Sequence, residues 1–119
     1  MAIQEQLYAS AAAEASAVVS AVPARVSKFV VFNDNVAAQY IQLFDSATVP
    51  ADTAVPDLCF IVPADSTFVF DFPQTIDGRQ IGGLDRFPEF ENGVAICNSS
   101  TAATKTVGTT DCLFYVFGE

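Results

Sequence analysis

The 119-residue chain has room for one domain with a core, and not for two domains with a cleft between them. Charged residues make up 16% and apolar residues 51%, so few charges keep the surface apart from its neighbours and the composition points to a protein that assembles. Five basic against fourteen acidic residues give a net charge of −9 with no basic block, which excludes nucleic-acid binding by phosphate neutralisation, and the lack of His excludes His-based triads, His-dependent metal sites and His acid–base chemistry within the chain.

Residues 1–22 are rich in Ala and Ser and carry only Glu5 and Glu14 as charges. The first basic residue is Arg25, so there is no basic stretch ahead of an apolar run and no secretory signal is expected. No window holds ~18 uncharged apolar residues, so no membrane span is expected either. Ile3, Leu7, Ala11, Ala15, Val18 and Val22 follow helical spacing and would line a narrow apolar stripe. Against this, the serines are indifferent helix formers and Val18–Val19 suits a strand. The segment 1–23 therefore reads as an arm that docks on a partner, either helical or extended with its last residues in a first strand. Ile3, Leu7, Val18 and Val22 are its candidate assembly contacts. Pro23 closes it in either case. Removal of such an arm is expected to leave a folded domain at 24–119 and to abolish assembly.

From Arg25 onward the period becomes roughly two. RVSKFVVFN (25–33), QYIQLFD (39–45), LCFIV (58–62), TFVFDF (67–72), GVAICN (93–98) and DCLFYVF (111–117) are short runs rich in β-branched and aromatic residues. In the first of these, Val26, Lys28, Val30 and Phe32 alternate with Ser27, Phe29 and Val31. Turn chemistry separates the runs: Asn33-Asp34-Asn35, Pro50, Pro56, Pro63, Asp77-Gly78, Asn92-Gly93 and Gly108. The fold class is all-β, a single antiparallel β-sandwich or jelly roll. VPADT (49–53) returns as VPADS (62–66), two similar turn formers and not a repeat architecture. The stretch 73–92 lacks strand character. It reads as a surface excursion packed by Leu84, Phe87 and Phe90, or as a contact loop for a neighbouring subunit or receptor, with Arg79 and Arg86 as its candidate contacts.

The residues offer little catalytic chemistry. Without His, a Cys or Ser nucleophile would depend on Lys28 or Lys105, neither in a recognisable motif. Asp71, Asp77, Asp85, Glu89 and Glu91 could form a carboxylate pair of the glycosidase kind, but with fourteen acids they read as solvated loop residues. Gly82-Gly83 lacks the phosphate-loop pattern and DFPQTIDG lacks the ligand alternation of an EF-hand, so no cofactor and no metal is expected. Cys59, Cys97 and Cys112 lie in or beside apolar runs and read as reduced, buried thiols, with a Cys97–Cys112 cross-strand bridge as the alternative. NSSTAATKTVGTTD (98–111) is hydroxyl-rich, with Lys105 its only cation. It reads as a self-ordered connection or as a contact with sugar or protein.

The pieces from Phe32 through YIQLFDSATVPADTAVP (32–56), FVFDF (68–72) and FENGVAICNSSTAATKTVGTTDCLF (90–114) resemble a family of small bacteriophage virion proteins. These are single β-sandwich chains encoded among head and tail genes. The string NSSTAATKT with a following Gly and Asp is its most distinctive part. This chain departs from the family in having Pro23-Ala24-Arg25 where such proteins carry Pro-Gly-Arg, and in a longer 73–89 loop. The resemblance implies a virion location with assembly in the host cytoplasm and no catalytic residues. It implies as partners other virion proteins, the major capsid protein or tail proteins. It further implies a symmetric homo-oligomer such as a trimer; the charge and the lack of an apolar span already speak against nucleic acid and membrane as partners. Within that class a capsid decoration protein that cements the shell is favoured, and a tail or fibre-attachment subunit is the neighbouring reading. A carbohydrate-binding sandwich module is the competing class, disfavoured because there is no Trp and only Tyr8, Tyr40 and Tyr115 to stack on sugar. A small hydrolase is a third, requiring a carboxylate pair in one pocket.

Overall fold

A computed structural model describes residues 5–72 and 89–118. The described residues form nine strands and no helix: β1 (Glu5–Ala9), β2 (Ser16–Ser20), β3 (Ala24–Asn33), β4 (Gln39–Asp45), β5 (Leu58–Val62), β6 (Ser66–Asp71), β7 (Glu89–Phe90), β8 (Val94–Ser99) and β9 (Cys112–Gly118). Two antiparallel sheets pack together as a sandwich. The first runs β1-β9-β3-β6 with β7 also on β3, and the second runs β2-β8-β4-β5. The pairing is nested. β4 pairs with β5, β3 with β6, β2 with β8 and β1 with β9, so the strand nearest the start meets the strand nearest the end.

Alternation of side chains along the strands supplies the core. Phe29 and Val31 of β3, Ile41 and Leu43 of β4, Val94 and Ile96 of β8, and Phe114 and Val116 of β9 are fully buried between the sheets. Phe29 lies at the centre of an aromatic cluster, with ring centroids 5.2 Å from Phe60, 5.8 Å from Phe70 and 6.0 Å from Phe72. The alternation expected for β3 fails at its start. A bulge between Val26 and Lys28 in the pairing with β9 turns Val26 inward beside Phe29 and Val31, and the buried Ser27 hydroxyl donates to the Phe117 carbonyl at 3.2 Å.

Residues 5–20 take neither the helix nor a free arm. They form β1 and β2, one edge strand for each sheet. Ala17 and Val19 point into the core while Val18 is only half-buried, so the period is two and the helical stripe is broken. Ser-rich sequence with adjacent β-branched residues loses little by extending, and pairing with β8 satisfies its backbone. A corner joins β1 to β2. Tyr8 Oη and Ser10 Oγ donate to Glu14 Oε2 at 2.5 and 2.6 Å, and Ser10 Oγ accepts from the Phe114 backbone N–H.

Two further devices fix the ends of the sandwich. Asn33, fully buried at the end of β3, donates through Nδ2 to the carbonyls of Ala37, Val62 and Pro63 at 3.1, 3.3 and 3.1 Å, tying the β3–β4 turn to the β5–β6 turn. Gly93 opens β8 with φ +137°, and a Cβ there would meet the Ser20 carbonyl oxygen at 2.5 Å. The two VPAD segments differ in detail: Thr53 carries the positive φ in the first (79°) and Asp65 in the second (49°).

Candidate functional site

The outward faces of the two sheets are treated differently. On the second sheet, Phe44, Ala95 and Cys97 form a small outer cluster against Ala54, and all six residues of β8 are buried. The loops 46–57 and 99–107 roof β8 and Gln42 on this face, while Cys59 and Ile61 on the edge strand β5 stay exposed. Thr53 N–H donates to the Lys105 carbonyl and Lys105 N–H to the Ala54 carbonyl, both at 2.7 Å, joining the loops to each other. Lys105, 5% exposed, brings its Nζ 2.8 Å from Asp52 Oδ1, which also accepts from the Val107 N–H. That contact holds the Asp52 carboxyl below its ordinary value, the Lys105 hydrogen bond being the main cause. Gln42 Nε2, fully buried beneath the roof, donates to the carbonyls of Thr101, Ala102 and Thr104 at 2.9, 3.1 and 3.3 Å. The hydroxyl-rich segment 98–111 is thus a self-ordered cover: Ser99 Oγ donates to the Thr101 carbonyl and accepts the Thr106 N–H.

The outward face of the first sheet has no such roof among the described residues. Cross-strand register sets its side chains in three rows. Gln6, Phe117, Lys28 and Asp71 form one row; Ala9, Tyr115, Val30 and Val69 the next; Leu113, Phe32 and Thr67 the third. Outward-facing positions of a sandwich are ordinarily polar. Here six of the eleven are large and apolar: Val69 is 52% exposed, and Val30, Phe32, Leu113, Tyr115 and Phe117 are half-buried. Lys28 Nζ lies 5.8 Å from the centroid of the Phe117 ring, within cation–π reach across the strands.

Among the described residues, the three expected assembly contacts do not gather in one place. Leu7 packs against the core from β1, Val18 is half-buried in β2, and Val22 is exposed in the turn before β3. Ile3, Arg79 and Arg86 lie outside the described residues, as does most of the 73–92 stretch. Phe90 falls within β7 and is buried.

A hollow of about 310 Å³ is lined by Asp45, Asp57, Leu58, Phe72, Glu89 and Phe90. Its carboxylates are committed to structure. Asp57 Oδ2 accepts the Asp45 N–H at 2.7 Å, Asp45 Oδ1 accepts the Asn92 N–H at 2.8 Å, and Glu89 pairs with Arg25 at 3.5 Å. Of the other acids considered for a pair, Asp71 faces outward on β6, Glu91 is exposed just after β7, and Asp77 and Asp85 are outside the described residues. No group of three Cys, Asp or Glu side chains is placed to hold a metal among the described residues.

All three thiols are free. Cys97 and Cys112 are buried on different sheets, which removes the proposed bridge. Cys59 is exposed, contrary to the sequence reading, because it sits outward on the edge strand β5. Burial pushes the Cys97 thiol up to about 11 and that of Cys112 to about 12, so neither is a thiolate near neutral pH. Comparison of the chain with family models, with curated proteins and with solved structures finds no match.

Proposed function

We propose that the chain is a structural subunit of a bacteriophage particle, acting as a capsid decoration protein that cements the shell by burying surface against its neighbours. The observation that carries this reading is the apolar outward face of the first sheet, which no loop among the described residues covers and where Val69 is exposed beside half-buried Val30, Phe32, Leu113, Tyr115 and Phe117. Apolar area buried there contributes about 25 cal/mol per Å², and that contribution resists displacement of the shell from within. The nested strand pairing supports the same class. With the two-residue β7 set aside, the eight remaining described strands pair first with last, an order that supports the jelly-roll reading, an architecture used by viral capsid domains and also by lectins. Ile3, Arg79 and Arg86 remain the proposed contacts from segments 1–4 and 73–88.

The test is location. Particles purified from producing cells should contain this chain in a fixed copy number, and a cryo-electron microscopy map should place it on the outer shell lattice. Density at the tail tube or distal tip would move the reading to a tail subunit. A chain found only in the free protein pool, at wild-type expression, would end it.

A further inference from the structure

We infer that the outward face of the first sheet is the contact surface for a second copy of the same chain, packed sheet on sheet about a two-fold axis. The inference rests on the assembling role proposed above and adds the partner and the face. An isologous contact of this kind closes at two copies, so it specifies a pair and not the trimer expected from resemblance.

Charge selects the partner. The chain carries a net −9, and two such bodies repel unless they meet where the charge is absent. On this face the charged residues among those described are Lys28 and Asp71, one of each sign. The other charges of this sheet lie at its margins: Glu5 opens β1 opposite Gly118, Glu89 of β7 is paired with Arg25 at the start of β3, and Asp34 and Asp111 lie beyond the strand ends, while Asp45, Asp52 and Asp57 belong to the second sheet and its roof. A basic partner drawn by the overall charge would find its acids there and not here. A neutral apolar surface is complementary to this one, and a second copy supplies it.

Register is consistent with self-pairing. A two-fold axis running across the strands keeps each strand over its own copy and exchanges the outer rows. The central row of Tyr115, Val30 and Val69 then meets the same three residues of the copy. Lys28 comes over the partner's Phe32 and Asp71 over the partner's Thr67, so no carboxylate faces a carboxylate. The twist of each sheet turns the two sets of strands by about 30°, the usual angle for aligned sheet packing.

Area sets the strength. Four strands about 4.8 Å apart and three rows about 6.8 Å apart cover a footprint of about 400 Å² per copy. The pair covers about 800 Å² before side-chain relief is added, against about 1,200–2,000 Å² for a standard stable interface. The association is therefore weak in dilute solution and is populated at the high local concentration of an assembled lattice.

Sedimentation of the full chain from about 5 μM to about 1 mM tests this. The mass should rise with concentration from 12.6 kDa toward twice that value, with a midpoint above about 10 μM. Val30→Glu should weaken association at least tenfold. Val30→Thr, which keeps strand preference, should weaken it less, and Val36→Glu, in an exposed turn off the face, should leave it unchanged. Circular dichroism confirms that each variant is folded. If Val30→Glu does not fold, Val30→Thr together with dilution-dependent amide shifts on β3, β9 and β6 decides the matter. A chain that stays monomeric to 1 mM overturns the inference, whether residues 73–88 or a different protein covers the face. A pair insensitive to both Val30 substitutions overturns it equally. Either result leaves particle incorporation standing, and a particle map with neighbours on other surfaces would separate the two.

Discussion

Three buried amides, those of Asn33, Gln42 and Asn98, do much of the work of joining distant loops. Each is fully buried, and each donates to backbone carbonyls far along the chain or across a turn. Asn33→Ala removes the donor shared by three carbonyls and should lower unfolding stability by about 2–4 kcal/mol in urea titration. A change under about 0.5 kcal/mol would show that water replaces it. None of these roles was legible in the sequence. Gln42 lies on the face of β4 opposite Ile41 and Leu43, as its alternation implies, but that face is dry because a loop some 60 residues later covers it. Local pattern gives the face and not the cover. The alkaline limb of stability belongs to this scale too. Burial, then the Glu14 hydrogen bond, raises Tyr8 from 10.0 to about 12, and burial raises Cys97 and Cys112 from 9.0 to about 11 and 12. Over that range the folded chain keeps protons that the unfolded chain has released, so stability is whole below about pH 9 and falls as pH climbs from 9 toward 12. Asp52 has the opposite sign. Its depressed value means the unfolded chain protonates first, so stability falls as pH drops from 3.8 through the folded value. Thermal melts from pH 2 to 12 should trace both limbs, and Asp52→Asn should flatten the acid one.

At the scale of elements, legibility followed locality. β4 and β5 lie where the sequence places them, because strict alternation or an apolar run sits between proline and turn residues. β1 and β2 were obscured by Ala and Ser, whose spacing admits a helix; their extended form is dictated by β9 and β8, partners roughly 80 to 110 residues away. The consequence reverses the expectation for the arm. Deleting residues 1–22 removes an edge strand from each sheet, strips Ala17 and Val19 from the core and exposes fresh edges on β8 and β9. The truncated chain should be unfolded or aggregated by circular dichroism and size exclusion, and a cooperative melt within a few degrees of the full chain would contradict this assignment of β1 and β2.

For the whole molecule, the uneven covering of the two sheets matters more than the sandwich itself. On the second sheet the chain's own loops around Lys105 and Gln42 cover β8 and Gln42 while Cys59 and Ile61 of β5 stay exposed, and on the first sheet no loop among the described residues covers the outward face. The sequence signalled this only as low charge and as apolar residues on both faces of FVVF in β3 and LFYVF in β9, since such a stretch reads the same whatever covers its second side. The nested strand order has its own consequence for how the chain folds. Only β4 and β5 close a short loop, and each later pair must span a longer one, the outermost joining Glu5 to Gly118. Glu5 and Gly118 are nonetheless side by side. A circular permutant with a short linker between its original ends, opened between the exposed Ala12 and Ala13, would turn the most distant pairing into an adjacent hairpin. Such a permutant should refold faster in stopped-flow measurements, because its costliest ring closure has become its cheapest.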